Sequence, residues 1–112
     1  METESRYSKT VIDVDNRNFT IQVLRFDNGS FVSITEHQVK IGGVLASLGT
    51  DSIPVSNTII PAKSESLFLK LISERISSIT KGINIISAFI PQEIDSKIAN
   101  ALMSKIKEIV EK

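Results

Sequence analysis

The most informative part of the sequence is residues 19–36, which read FTIQVLRFDNGSFVSITE. Apolar and polar residues alternate on both sides of Asp27-Asn28-Gly29-Ser30. Asn-Gly between two such runs favours a two-residue type I′ turn, because both central residues must take positive φ. A hairpin with that turn pairs Phe26 with Phe31 and Val23 with Ile34. We therefore predict strands over residues 19–26 and 31–36.

The alternation also divides the predicted hairpin into two apolar faces, because successive side chains in a strand point to opposite sides. One face carries Ile21, Val23, Val32 and Ile34. The other carries Leu24, Phe26 and Phe31. Since both faces bear large apolar groups, we expect each side of the sheet to be covered.

Four further segments have the patterns of strands. Residues 9–14 alternate and end at a cluster of turn formers, and residues 42–49 form a short apolar run bounded by glycines. Residues 53–61 are extended, but their prolines cannot donate ladder hydrogen bonds, which leaves an edge strand or an ordered crossing loop. Residues 83–90 are apolar on both alternating sets, which is typical of a strand in the middle of a sheet with both faces covered.

Two segments have helical patterns. Residues 64–81 begin at Ser64, a possible cap, and end at Lys81-Gly82. Their apolar stripe is Phe68, Leu69, Ile72, Ile76 and Ile79. The last helix begins near Asp95, or earlier at Pro91, and its stripe is Ile98, Leu102, Ile106 and Ile109. We predict one α+β domain over residues 1–112, with residues 1–7 flexible and both helices on one face of a mostly antiparallel sheet of five or six strands.

The composition excludes several classes of protein. The 112 residues include 13 basic and 13 acidic side chains and no cysteine, which excludes disulfides, thiolate zinc sites and a cysteine nucleophile. A net charge of zero argues against binding to nucleic acid. The longest apolar run, at residues 83–90, is far shorter than the roughly 20 residues of a membrane span. The acidic, polar N-terminus is unlike a signal peptide, so we expect a soluble cytoplasmic protein.

Catalytic patterns are missing as well. His37 is the single histidine, and at the end of a predicted strand we interpret it as a surface residue. Gly42, Gly43 and Gly49 bracket an apolar strand and match neither a phosphate-binding nor a dinucleotide-binding loop. No Gly-x-Ser-x-Gly elbow is present. We therefore predict that the protein is not an enzyme and has no catalytic, cofactor-binding or metal-binding residues.

Three segments resemble the small proteasome-assembly chaperones, most closely the fourth eukaryotic member and its archaeal relatives. They are residues 19–36, the run Gly42-Gly43-Val44-Leu45-Ala46-Ser47-Leu48, and Asp51-Ser52-Ile53-Pro54-Val55-Ser56, which is the most specific of the three. The likeness extends over about residues 18–110 and is one of pattern more than of identity outside the Ser-Ile-Pro-Val-Ser segment.

The resemblance implies a non-catalytic chaperone that holds α-type subunits of the 20S proteasome while their ring assembles. It also implies a dimer, either with a second copy or with a related small chaperone, in which helices cover one sheet face and the partner covers the other. Leu24, Phe26 and Phe31 would face the partner, and Ser52, Ile53, Pro54, Val55 and Ser56 would shape the binding surface. The Ile109-Val110-Glu111-Lys112 end lacks the hydrophobic-Tyr-x tail of other assembly chaperones, so we expect binding through a surface.

Three alternatives stay open at this point. One is an enzyme, whose sign would be a concave pocket with converging polar groups. Residues 52–56 can equally be a rigid crossing whose proline lowers the entropy of the unfolded chain, without touching a partner. A roadblock-like or profilin-like scaffold or regulatory module, with a similar sheet and an unrelated partner, would also fit these patterns.

Overall fold

Six strands form a single sheet in a computed structural model that describes residues 6–49, 55–61, 66–80 and 82–110. The elements are β1 (Tyr7–Val14), β2 (Arg17–Phe26), β3 (Gly29–Glu36), β4 (Gly43–Leu48), β5 (Val55–Ile60), α1 (Ser66–Thr80), β6 (Ile83–Phe89) and α2 (Ser96–Val110). The order across the sheet is β1-β2-β3-β6-β4-β5, and only the β3–β6 pair is parallel in this described part. The predicted α+β architecture is confirmed.

The predicted register of the central hairpin is wrong by two residues. Leu24 pairs with Phe31 and Val23 with Val32, so the two-residue loop is Asp27-Asn28 rather than Asn28-Gly29. Because a shift of two residues preserves alternation, the predicted division into two faces is confirmed. The turn with two positive-φ residues occurs one hairpin earlier, at Asp15 (φ 53°) and Asn16 (φ 62°).

Gly29 is needed for close approach to β6 and not for a positive φ. A Cβ atom at this position would overlap the backbone carbonyl of Ile83, the first residue of β6. The amide of Ile83 also donates a hydrogen bond of 2.9 Å to the carbonyl of Asn28. The requirement for glycine therefore comes from a strand that is more than 50 residues away in sequence, which is why the local Asn-Gly pattern placed the turn incorrectly.

β5 and β6 take distinct positions in the sheet. β6 lies between β3 and β4, as expected of a middle strand, while β5 pairs only with β4 among the described strands and is an edge strand. The expectation that both faces of β6 are covered is met in full on one face; within the described residues the other face is covered only at its Ser87 end. Ile86 and Ala88 are buried under the helices, whereas Ile83 on the other face is 47% exposed.

Both helices pack on the same face of the sheet, as predicted. The core joins inward side chains of β2, β3 and β6 to the stripes of α1 and α2. Ile98, Leu102, Ile106 and Ile109 of α2 are buried. Asp95 caps this helix by accepting a hydrogen bond of 2.9 Å from the amide of Ile98, which confirms the later of the two predicted starts.

A buried polar network lies between α1 and the sheet. The hydroxyls of Ser47 and Ser77 are 2.5 Å apart, and Ser30 Oγ donates to Asn84 Oδ1 at 2.7 Å. Asn84 Nδ2 donates to Ser77 Oγ at 3.4 Å, which joins the two pairs. Because buried polar groups are costly unless paired, these bonds favour a single placement of α1 on the sheet. Ser73 Oγ, on the same helix, is buried without a hydrogen-bond partner among the described residues.

Candidate functional site

The side of the sheet opposite the helices, which we call the open face, carries most of the exposed apolar surface. Twelve large hydrophobic side chains are exposed in the described part of the chain, and eight of them lie on this face. They are Tyr7, Val11, Leu24, Phe26, Phe31, Leu48, Ile60 and Ile83. Contiguous exposed apolar surface of this kind marks a site of association with another molecule.

The apolar residues form a continuous row across the strands. In the register of the sheet, Tyr7 lies opposite Leu24, Leu24 opposite Phe31, Phe31 opposite Ile85, and Ile85 opposite Ala46. Five strands at a spacing of roughly 4.8 Å make this row about 20 Å long. The side chains of Leu24, Phe26 and Phe31 are 42%, 56% and 37% exposed, although all three lie on inner strands of the sheet.

Charged side chains are nearly absent from the open face. Among the described strands they occur there only on β1, at Lys9 and Asp13. Uncharged polar side chains also lie on the open face. One is Gln22, whose Oε1 accepts a hydrogen bond of 2.7 Å from the hydroxyl of Tyr7. An apolar patch from which charges are depleted, with polar groups that can still bond, is typical of protein–protein interfaces.

The loop over residues 37–42 covers one end of the open face. The amide of Gly42 donates to Ser87 Oγ at 3.2 Å, and Lys40 Nζ lies 5.3 Å from the centre of the Phe89 ring. Thr35 and Ser87 point to the open face but are buried. His37, at the start of the loop, is exposed as predicted and has a φ of 67°.

The structure brings together only part of the predicted site. Leu24, Phe26 and Phe31 share the open face, with Leu24 directly opposite Phe31. Ser52, Ile53 and Pro54 lie outside the described residues. Val55 and Ser56 are the first two residues of β5, four positions away from β2 in the sheet, and their side chains also lie outside the described part. The role of residues 52–56 stays a prediction.

An ion pair that no local sequence pattern indicates lies on the helix-covered side of the sheet. Arg17 Nε and Nη2 donate to the two carboxylate oxygens of Glu36 at 2.8 and 2.7 Å. Arg17 also donates to the carbonyls of Gln92 (3.1 Å) and Glu93 (2.8 Å), so it joins β2, β3 and the segment before α2. Its hydrogen bonds lower the pKa of Glu36, despite burial, and the same bonds raise the pKa of Arg17.

A small cleft and the spacing of possible metal ligands can be described for this part of the chain. A cleft of about 160 Å³ beside the Asp27-Asn28 turn is smaller than the roughly 300 Å³ at which ligand pockets begin. No three His, Cys, Asp or Glu side chains of the described part are placed to share a metal ion. Neither α1 nor α2 has the length and apolarity that a membrane-spanning helix requires.

Comparison with known proteins gives a match in structure but none in sequence. No family model matches the chain, and no curated protein matches it significantly. Thirteen chains of solved structures do match. One belongs to the crystal structure of a novel chaperone complex for yeast 20S proteasome assembly, with a TM-score of 0.67 and 10% sequence identity. The match covers 96% of this chain and 97% of the yeast-complex chain, so the two are similar in fold over nearly their whole lengths.

Proposed function

We propose that this protein is a non-catalytic chaperone of the cytoplasm that binds α-type subunits of the 20S proteasome while their ring assembles. The observation that carries the proposal is the fold shared, nearly end to end, with a chain of a complex for 20S proteasome assembly. Because 10% identity supports the fold alone, the subunit-binding role must be tested directly.

The chaperone is proposed to act as a dimer through its open face, with a second copy or a related small assembly chaperone as the partner. Most strands have six to eight residues, so six strands cover a flat area of about 600–750 Å². Stable interfaces bury about 800 Å² on each partner, which a face of this size with protruding side chains approaches. Leu24, Phe26 and Phe31, near the β2–β3 turn, are the proposed contacts.

The two helices cannot cover the open face, because both are packed on the opposite side. A partner would therefore remove from water the apolar row that the chain itself leaves exposed, and burial of such surface favours association. In this proposal α subunits bind by surface complementarity. Residues 52–56 either contact the α subunit or form a rigid crossing that does not touch it.

The test is co-purification of the tagged protein with each α-type subunit, expressed separately. We expect at least one subunit to bind the wild-type protein. Phe31→Glu is expected to lose the dimer. Leu71→Glu is the matched control and should keep the dimer, because Leu71 is an exposed aliphatic residue on α1. Failure of every α subunit to bind, under conditions in which the rings assemble, would refute the chaperone role. Capture of an unrelated partner through the same face would favour the scaffold alternative.

A further inference from the structure

The outer edge of β1 is unpaired in the described part of the chain. β1 is the first strand of the sheet and pairs only with β2 among the described strands. Its eight residues contain no proline or glycine, and its pairing with β2 has no bulge. Many proteins interrupt an exposed edge with a proline or a bulge, because its free amides and carbonyls can pair with a strand of another chain. β1 therefore presents a regular edge over its full length.

The hydrogen bonds to β2 show which backbone groups of β1 point outward. The amide of Arg25 donates to the carbonyl of Arg6 at 2.8 Å, so these two residues form a hydrogen-bonded pair. Hydrogen-bonded and non-hydrogen-bonded pairs alternate along an antiparallel ladder. The odd-numbered residues of β1 therefore direct both the amide and the carbonyl away from β2, and their side chains lie on the open face. These residues are Tyr7, Lys9, Val11 and Asp13.

The side chains of this edge carry two opposite charges, which make the strand complementary to itself. Lys9 and Asp13 are both exposed, and Val11 lies midway between them. In an antiparallel pair of two β1 strands, a two-fold axis through Val11 places Lys9 opposite the partner's Asp13 and Asp13 opposite the partner's Lys9. An axis through Lys9 or through Asp13 would place identical charges opposite each other, which is destabilising. An axis through Thr10 or Ile12 would place a charge opposite Val11.

We propose that β1 pairs antiparallel with β1 of a second copy, with Val11 on the two-fold axis, and joins two six-stranded sheets into one continuous sheet. The outward backbone groups of Lys9, Val11 and Asp13 then meet those of the partner as hydrogen-bonded pairs, as an antiparallel ladder requires. The axis is perpendicular to the sheet, so the helices of both copies lie on one side and their open faces adjoin. This contact is separate from the dimer proposed above, because the edge and the face of a sheet can be occupied at the same time.

The first test is sedimentation equilibrium at two concentrations. A single strand pair is a small interface, so we expect it to form at a higher concentration than the dimer of the open face. The wild-type protein should have a mass of two chains at micromolar concentration and of four chains at half-millimolar concentration.

Charge reversal at the edge tests the register. Lys9→Glu places like charges opposite each other in both pairs, and it should raise the dissociation constant of the four-chain form at least tenfold. Lys9→Glu/Asp13→Lys places opposite charges together again and should restore the four-chain form. Lys70→Glu makes the same change of charge at an exposed position of α1 and should leave the constant unchanged.

The second test uses the absence of cysteine, which makes a single introduced thiol a specific probe. Two residues in a hydrogen-bonded antiparallel pair have Cα atoms about 5.5 Å apart, which is within the range of a disulfide. Val11→Cys should therefore cross-link two chains under oxidising conditions at half-millimolar concentration. Leu71→Cys, at an exposed position of α1, should not.

The outcomes separate the edge contact from the proposed function. A wild-type mass of two chains at both concentrations, or a four-chain form that Lys9→Glu does not weaken, overturns the edge pairing and leaves the proposed function standing. A protein that is monomeric at micromolar concentration but forms charge-dependent pairs at half-millimolar concentration supports the edge pairing and refutes the dimer of the open face. Loss of α-subunit binding by Lys9→Glu, with no change in mass, assigns the edge to a strand of the α subunit and overturns the pairing of two copies.

Discussion

Replacing Glu36 by Gln removes the anion from the ion pair that joins β2, β3 and the segment before α2. Arg17 then keeps its bonds to the carbonyls of Gln92 and Glu93 but loses its counter-charge. The side chains of Arg17 and Glu36 are 18% and 5% exposed, so water replaces the lost charge only in part. The variant therefore leaves a cation in a poorly solvated position.

The expected loss of stability is about 2 kcal/mol. Breaking a fully buried ion pair by removing one partner costs roughly 3–5 kcal/mol. The expected loss is smaller here, because Arg17 is partly exposed and because the new amide oxygen still accepts a hydrogen bond from it. For a domain of this length, a loss of about 2 kcal/mol lowers the melting temperature by roughly 6–10 °C.

The effect should depend on pH, because Arg17 lowers the pKa of Glu36 in the folded protein. A carboxyl group with a lowered folded pKa contributes stability above its unfolded pKa of about 4.3, and this contribution is lost as the pH falls through the folded value. The wild-type protein should therefore exceed the variant in stability at pH 7, and the difference should shrink as the pH falls below about 4.

The assay is urea unfolding at fixed protein concentration, since the proposed dimer would make stability depend on concentration. A double-mutant cycle with Arg17→Met isolates the energy of the pair. Asp15→Asn, which removes an exposed pair with Lys97, is the control and should change stability little. Two results would refute this role for the pair. One is a loss of stability below about 0.5 kcal/mol at pH 7, which is within the range of ordinary surface substitutions. The other is a difference in stability between wild type and variant that does not vary with pH.

Three further variants test individual features of the fold by urea unfolding. Gly29→Ala should cost about 1–3 kcal/mol, because its methyl group would overlap the carbonyl of Ile83, and a neutral result would contradict the close approach of β3 and β6. Ser73→Ala should be neutral or stabilise the protein by up to about 1 kcal/mol. Ser77→Ala should cost about 1–2 kcal/mol, because it removes a hydrogen-bond partner of Ser47 and Asn84. Equal effects of the two variants would contradict the network. Asp95→Ala should cost about 1 kcal/mol and Asp95→Asn much less, and equal losses would argue against the cap.

Features that depend on periodicity were predictable from the sequence. The helix stripes and the two faces of the hairpin follow from spacings of three, four and two residues, which tertiary contacts do not alter. The faces remained correct even though the register was wrong, because the error was an even number of residues. Leu24, Phe26 and Phe31 were therefore assigned to the right side of the sheet.

Features that depend on contacts distant in sequence were not predictable. Gly29 is required by β6, and the pairing of β6 with β3 and β4 has no local signal. Arg17 and Glu36 lie 19 residues apart, and their close approach depends on the observed register, in which Glu36 lies opposite Phe19. The position of the loop over residues 37–42 depends on the hydrogen bond from Gly42 to Ser87 of β6, which the residues of the loop do not reveal.

The central claim is that the open face is an interface. Sedimentation equilibrium of the purified protein at micromolar concentration tests it most directly, with Phe31→Glu as the interface variant and Leu71→Glu as the control. We expect a mass of two chains for the wild-type protein, one chain for Phe31→Glu and two chains for Leu71→Glu. A wild-type protein that is strictly monomeric at these concentrations, or a Phe31→Glu variant that keeps the wild-type mass, would contradict it.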